Sequence, residues 1–294
     1  MVPPLLETAW STLPPVLLLP SPPHSSSIAA SQTQDFPKAM IPGVTPWQPS
    51  TSATPLLDMD SVSADAPPEQ HLNDPLNSPH PIPWNWILET YETFKQLPES
   101  EPRHYRTANV VSPEGNYAAY SRIQMSTQPD FSGSQITSVM FLEDLHTGDL
   151  QTVTASSPVA QNLLPKTQTE KAGVFSILIP VSWSQTGDRL LARQFEGLLS
   201  TSLASDYAVI WERSTQQTCT CVPEGPDYSN AIVLGWSATH LDQVLFRVGS
   251  LGEDPWLLWR VDPQGKTDLA TGDRPLVFGQ IQPATWGGAQ ISWS

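Results

Sequence analysis

One local pattern occurs three times along the chain, and its recurrence narrows the fold more than any other feature. The copies are Val111-Ser112-Pro113-Glu114-Gly115-Asn116 running into residues 117–122, Trp183-Ser184-Gln185-Thr186-Gly187-Asp188 running into 189–193, and Trp236-Ser237-Ala238-Thr239-His240-Leu241-Asp242 running into 243–247. Each reads as the end of one strand, a polar turn and the start of a second strand. A Ser hydroxyl can bond backbone groups inside such a turn, and Gly115 and Gly187 allow the positive φ that reverses the chain. The third copy lacks the glycine. Its turn must therefore be longer, or lean on His240 and Asp242.

A second hairpin follows each copy. Residues 137–142 lead through His146-Thr147-Gly148-Asp149 to 150–154; residues 207–211 lead through 213–216 into 218–222; residues 256–261 lead through Asp262-Pro263-Gln264-Gly265 to 267–269. Each repeat thus reads as four antiparallel strands, and a unit repeated at this scale is a supersecondary block that buries its apolar face against its neighbours. No helical period persists beyond Tyr105. The expected class is all-β, with the repeated domain covering residues 104–294.

The polar turn followed by an apolar, Ala-bearing strand, and the later strand with its Gly turn, resemble blades of the TolB and WD40-like β-propeller superfamily. The arrangement also resembles a family of cyanobacterial proteins, matched most closely by residues 182–197. The resemblance spans residues 105–294 and implies three four-stranded propeller-like blades, a scaffold that presents loops. It implies little about chemistry. Val111 stands where Trp is usual, Glu114 replaces Asp, Gln185-Thr186 replaces Pro-Asp, and the motif starts lie 72 and 53 residues apart. Three blades fall short of the roughly four to eight in closed propellers. Residues 276–281 and 291–293 are further strand candidates, so a small ring, an open arc and a ring completed by another subunit all stand as expectations.

Ahead of the repeats, residues 1–80 are dominated by Pro, Ser, Thr and Ala, with Lys38 the only Lys or Arg. Such a segment cannot bury enough apolar surface to offset its chain entropy, and it is expected to be a disordered tail with local polyproline II at its Pro pairs. The character changes at Pro81. Trp84, Ile87, Leu88, Tyr91 and Phe94 fall on one helical face, Pro83 sits where a first-turn proline is tolerated, and Pro98 ends the run. Residues 81–103 are assigned to this amphipathic helix and a linker.

Composition removes several functions. With 29 acidic against 14 basic residues, a formal net charge of −15 and a pI near 4.6, neither nucleic acid nor an anionic membrane surface is an expected partner. The apolar run at residues 16–19 is bounded by Pro15 and Pro20 and is far too short to span a bilayer. The first 34 residues contain no Lys or Arg, so no secretory leader is expected and a cytoplasmic location is favoured.

Catalytic signatures are missing too. Gly249-Ser250-Leu251-Gly252 lacks the spacing of a nucleophile elbow, no phosphate loop occurs, and the six His residues are scattered. Cys219 and Cys221 fall on one face of a strand, too far apart for a relaxed disulfide, and are expected to be reduced thiols. Neither a metal site nor a cofactor is expected.

Two sets of residues remain as candidates. Arg122, Arg193 and Arg247 lie 11, 10 and 11 residues beyond the first position of each motif. Placed around a common axis they would form a cationic patch for an anionic ligand or an acidic partner segment; otherwise each pairs with a nearby acid. Trp256 and Trp286, next to Pro255 and Gly287-Gly288, are the aromatics expected at an exposed binding surface. The expected function is a non-enzymatic scaffold or protein-interaction module. The alternative is a hydrolase or lyase with acidic and Arg residues at the blade axis, marked by a pocket holding two close carboxylates and an adjacent Arg.

Overall fold

The computed structural model describes residues 74–97, 101–155 and 173–290. The expectations for residues 1–73 and 291–293 lie outside the described residues. The elements run α1 (Trp84–Phe94), β1 (Arg103–Arg106), β2 (Asn109–Val111), β3 (Tyr117–Ser126), β4 (Gln135–Asp144), β5 (Leu150–Val153), β6 (Val174–Trp183), β7 (Arg189–Leu198), β8 (Ala204–Glu212) and β9 (Gln217–Cys221). They continue with β10 (Asn230–Ser237), β11 (Val244–Gly249), β12 (Leu257–Val261), β13 (Thr267–Leu269), β14 (Pro275–Leu276), β15 (Gln280–Gln282) and β16 (Gly288–Gln290). The domain is all-β with one α-helix.

Within each repeat four strands pair consecutively and antiparallel: β2 to β5, β6 to β9, and β10 to β13. The first two repeats join in an eleven-stranded sheet through a parallel contact of β4 with β6, while the third forms a separate five-stranded sheet with β14. Among the described residues no sheet closes on itself. The pairing therefore establishes an all-β domain and not a ring of blades.

The repeated turn is built from its serine. Ser112 Oγ accepts from the Tyr117 N–H at 3.1 Å and Ser184 Oγ from the Arg189 N–H at 3.0 Å, while Gly115 and Gly187 take φ of +77° and +70°. In the third copy the Ser237 N–H reaches the Gln243 carbonyl, one residue further than its counterparts reach. That longer turn is fixed by Asp273, whose carboxylate accepts from the Ser237 and Thr239 hydroxyls at 2.6 and 2.7 Å.

Residues 275–282 run across all three repeats. Leu276 pairs with Trp236, Phe278 bridges to Trp183, and Gln280 pairs with Val111. The three partners are the first positions of the three motifs, met at every second residue of the strap, which is the period at which an extended chain turns the same side outward. Leu276 and Phe278 pack on the core, whereas Val277 and Ile281 are exposed.

Residues 74–80, expected with the tail, are packed against the domain. Leu76, Ile82 and Ile87 share one core cluster with Ile123, Met125, Ile136, Phe175 and Phe195. On α1 the buried stripe centres on Ile87 and Thr90, with Trp84, Trp86 and Tyr91 packed alongside, so Leu88 is turned to solvent at 41% exposure. Burial on both faces follows for the inner strands: every residue of β10 is buried, the pattern of a strand covered on both sides.

Candidate functional site

The second motif strand carries the most heavily engaged charge in the domain. Arg193 on β7 has a side-chain exposure of 0%; its Nε donates to Asp206 Oδ1 at 2.7 Å and its Nη1 to Asp74 Oδ2 at 2.6 Å, with Nη2 to Asp74 Oδ1 at 3.2 Å. Nη1 also donates to the His80 carbonyl at 2.7 Å. Asp206 Oδ2 accepts from the Val233 N–H, and the Asp74 carboxylate accepts from the N–H groups of Leu76, Ser78 and Ile82. His80 contributes its Nε2, which donates to the Leu234 carbonyl at 3.0 Å.

Burial sets the direction in which Asp206 and His80 titrate. Loss of solvation pushes Asp206 up to about 6 despite the adjacent Arg193 guanidinium, and the same cause holds the His80 imidazole below its ordinary value. Two close carboxylates and an arginine are thus present, but Asp74 and Asp206 are only 2% and 0% exposed. A substrate would find no open lone pair there. The chemistry of the cluster is to hold residues 74–82 onto the sheet.

Arg247, on β11, reaches the same segment. Its Nη2 donates to the Asn77 carbonyl at 3.5 Å, and its guanidinium lies 6.0 Å from the ring centre of Trp256. Trp256 is half-buried and lies flat enough against Gly249 that an added Cβ there would stand 2.7 Å from the indole. Arg193 and Arg247 therefore both grip residues 74–80. Arg122 is elsewhere: it is exposed on β3, in register with Arg106 on one side and Val139 on the other. Trp286 is 75% exposed.

The cysteines lie on β9, Cys219 half-buried and Cys221 buried, both free. Burial pushes Cys221 up to about 12, so it stays a thiol rather than a nucleophilic thiolate. Among the described residues no group of three or more His, Cys, Asp or Glu side chains is placed to hold a metal. No helix there is long and apolar enough to cross a membrane. A cavity of about 340 Å³ lies where β5 meets the β8–β9 hairpin, lined by Thr and Gln side chains with Val153 and Trp211. It offers hydrogen bonds and one aromatic wall but no acid, base or nucleophile. No protein-family model matches the chain, and no curated protein matches it.

Proposed function

We propose that this chain is a non-enzymatic protein-binding module that presents exposed strands and loops from a rigid all-β body. The observation that carries the reading is the exposure of Ile281 and Trp286, 73% and 75%, around an edge strand. β15 is the end strand of the eleven-stranded sheet and all three of its residues face solvent. Exposed apolar side chains beside an open strand edge are a recurrent protein-docking feature. The buried Arg193 cluster supports the same reading from the other side, because its carboxylates are consumed by backbone N–H groups and the guanidinium.

The test is capture with the tagged full-length chain, quantified against the bait, alongside assay of the purified chain on chromogenic esters, glycosides and phosphate monoesters. One partner recovered at near-stoichiometric yield, and weakened by Ile281→Asp, is the expected result. Turnover of any of those substrates with no stoichiometric partner overturns it.

A further inference from the structure

The outward face of the first repeat carries two arginines side by side. Arg106 on β1 and Arg122 on β3 are register partners, and the row continues to Gly288 on β16 and Val139 on β4. Like charges directly opposite one another on neighbouring strands destabilise a sheet, yet neither arginine makes an ion pair among the described residues. His104 adjoins them, in register with Gln124 and Gln290, close enough to feel the Arg122 charge. In a chain of net charge −15, this is a local reversal of sign.

The next row is aromatic. Tyr120 stacks on Phe141 with ring centres 5.3 Å apart at 21°, and the Arg106 guanidinium lies 3.7 Å over the Tyr120 ring. Arg106 is further held by Asn109 Oδ1 at 3.0 Å, so its plane is fixed before any ligand arrives. Val139 is 44% exposed beside Arg122, and Trp286 stands two residues before Gly288. On the far side of the aromatic pair, Glu143 on β4 ends the cationic character of the face.

We infer that this face, centred on Arg106, Arg122, Tyr120 and Phe141, binds an extended acidic peptide segment of a partner protein, its carboxylates on the two guanidiniums and its apolar side chains on Val139 and the Phe141 ring. Charge complementarity selects the acid. Extent selects a peptide over a small anion: the row from β16 to β4 crosses four strands, about 14 Å, which is the reach of about four extended residues. Arg presents a planar donor fork suited to carboxylates; Tyr120 is sandwiched between the Arg106 guanidinium and Phe141, which leaves the Phe141 ring and the exposed Val139 to accept apolar side chains. The assignment rests on the protein-binding reading above and adds to the Ile281 edge a second surface, on the opposite face of the sheet by register, with its own partner chemistry.

The experiment uses the full-length chain and a capped synthetic peptide of alternating Glu and Phe, with a Lys-for-Glu peptide and inorganic phosphate as comparison probes, read by calorimetry. Binding of the acidic peptide that weakens with salt, is at least about tenfold weaker for Arg122→Glu and is largely kept by Arg122→Lys is expected. Arg122 is exposed, so unchanged thermal unfolding of Arg122→Glu accompanies that result. Equal binding of the acidic peptide to Arg122→Glu, equal binding of the Lys peptide, phosphate binding as tight as the peptide, or no peptide binding overturns the inference. A stoichiometric partner from the capture experiment that Arg122→Glu retains leaves the binding module standing and removes this face as its site. Failure of the wild-type chain to hold any partner removes the module itself.

Discussion

The indole N–H of Trp236 donates to the backbone carbonyl of Trp183 at 2.7 Å, and the indole N–H of Trp183 donates in turn to the carbonyl of Val110 at 2.9 Å. Both rings are fully buried. Each motif tryptophan thus ties its own repeat to the one before it. Among the described residues no further repeat precedes the first motif, and it carries Val111 in that place. Trp183→Phe and Trp236→Phe each remove one hydrogen bond and part of a buried ring, a loss of about 2–3 kcal/mol. Urea unfolding should show a lower midpoint at unchanged slope for each. The acceptor that Trp183 offers Trp236 is its backbone carbonyl, which Phe keeps, so the two losses should add to within about 0.5 kcal/mol in the double variant.

At Gly279 the strap passes close to the first two motifs. Its φ is +99°, and an added Cβ would collide with the Val111 carbonyl oxygen and stand 3.0 Å from the Trp183 ring. Gly115 also has positive φ, at +77°, but nothing lies within 4 Å of the Cβ it would gain. Gly115→Ala therefore carries only the left-handed backbone cost, about 1 kcal/mol. Gly279→Ala adds a backbone collision that the strap can relieve only by moving. The expected outcome is a larger fall in Tm for Gly279→Ala, with faster amide exchange confined to residues 275–282.

Local patterns in the sequence survive in the structure where the physics is local. The Ser turn closes with the bonds its hydroxyl allows, the longer third turn follows from its missing glycine, and α1 begins after Pro83 as the spacing of Trp84, Ile87 and Tyr91 requires. What the sequence does not announce is long-range. Arg193 and Asp74 are 119 residues apart, and nothing near either residue marks the other. Counting residues from the motif start put Arg122, Arg193 and Arg247 in one class, but one is exposed, one is sealed and one is intermediate. Asp74 itself sits in a Pro- and Ser-bearing stretch that reads as tail; three backbone N–H groups gathered by one carboxylate make it structure. For Trp286, its place among small and polar residues was the only signal of exposure.

Removing the Arg193 charge should release the segment it holds. Arg193→Met leaves Asp74 and Asp206 buried without their cation, a situation that costs about 3–5 kcal/mol in comparable sites. Residues 74–97 should then be the first to exchange amide protons and the first to be cut by protease. The triple variant Arg193→Met, Asp74→Leu, Asp206→Leu removes the unpaired charges but also strips the acceptor from Leu76, Ser78, Ile82 and Val233. It should recover only part of the loss, and full recovery would show that the four N–H bonds contribute little.

The pH dependence of stability separates two groups of that cluster because their signs differ. Burial holds the folded His80 imidazole below its ordinary value of 6.5, so on acidification the unfolded chain takes up a proton there before the folded chain does. The stability contribution of neutral His80 is present above 6.5 and is lost as pH falls through and below that value. Asp206 runs the other way: its folded value is raised from 3.8 to about 6, so the folded chain takes up the proton first. Stability from Asp206 is fully present below 3.8 and is lost as pH rises through about 6. Between pH 7 and 5 the two oppose each other in the wild-type chain. His80→Gln removes the falling contribution and should make the midpoint rise on acidification, while Asp206→Asn removes the rising one and should make it fall. Midpoints measured at pH 5 and 7 that move in the same direction for both variants would contradict the assignment of opposite signs.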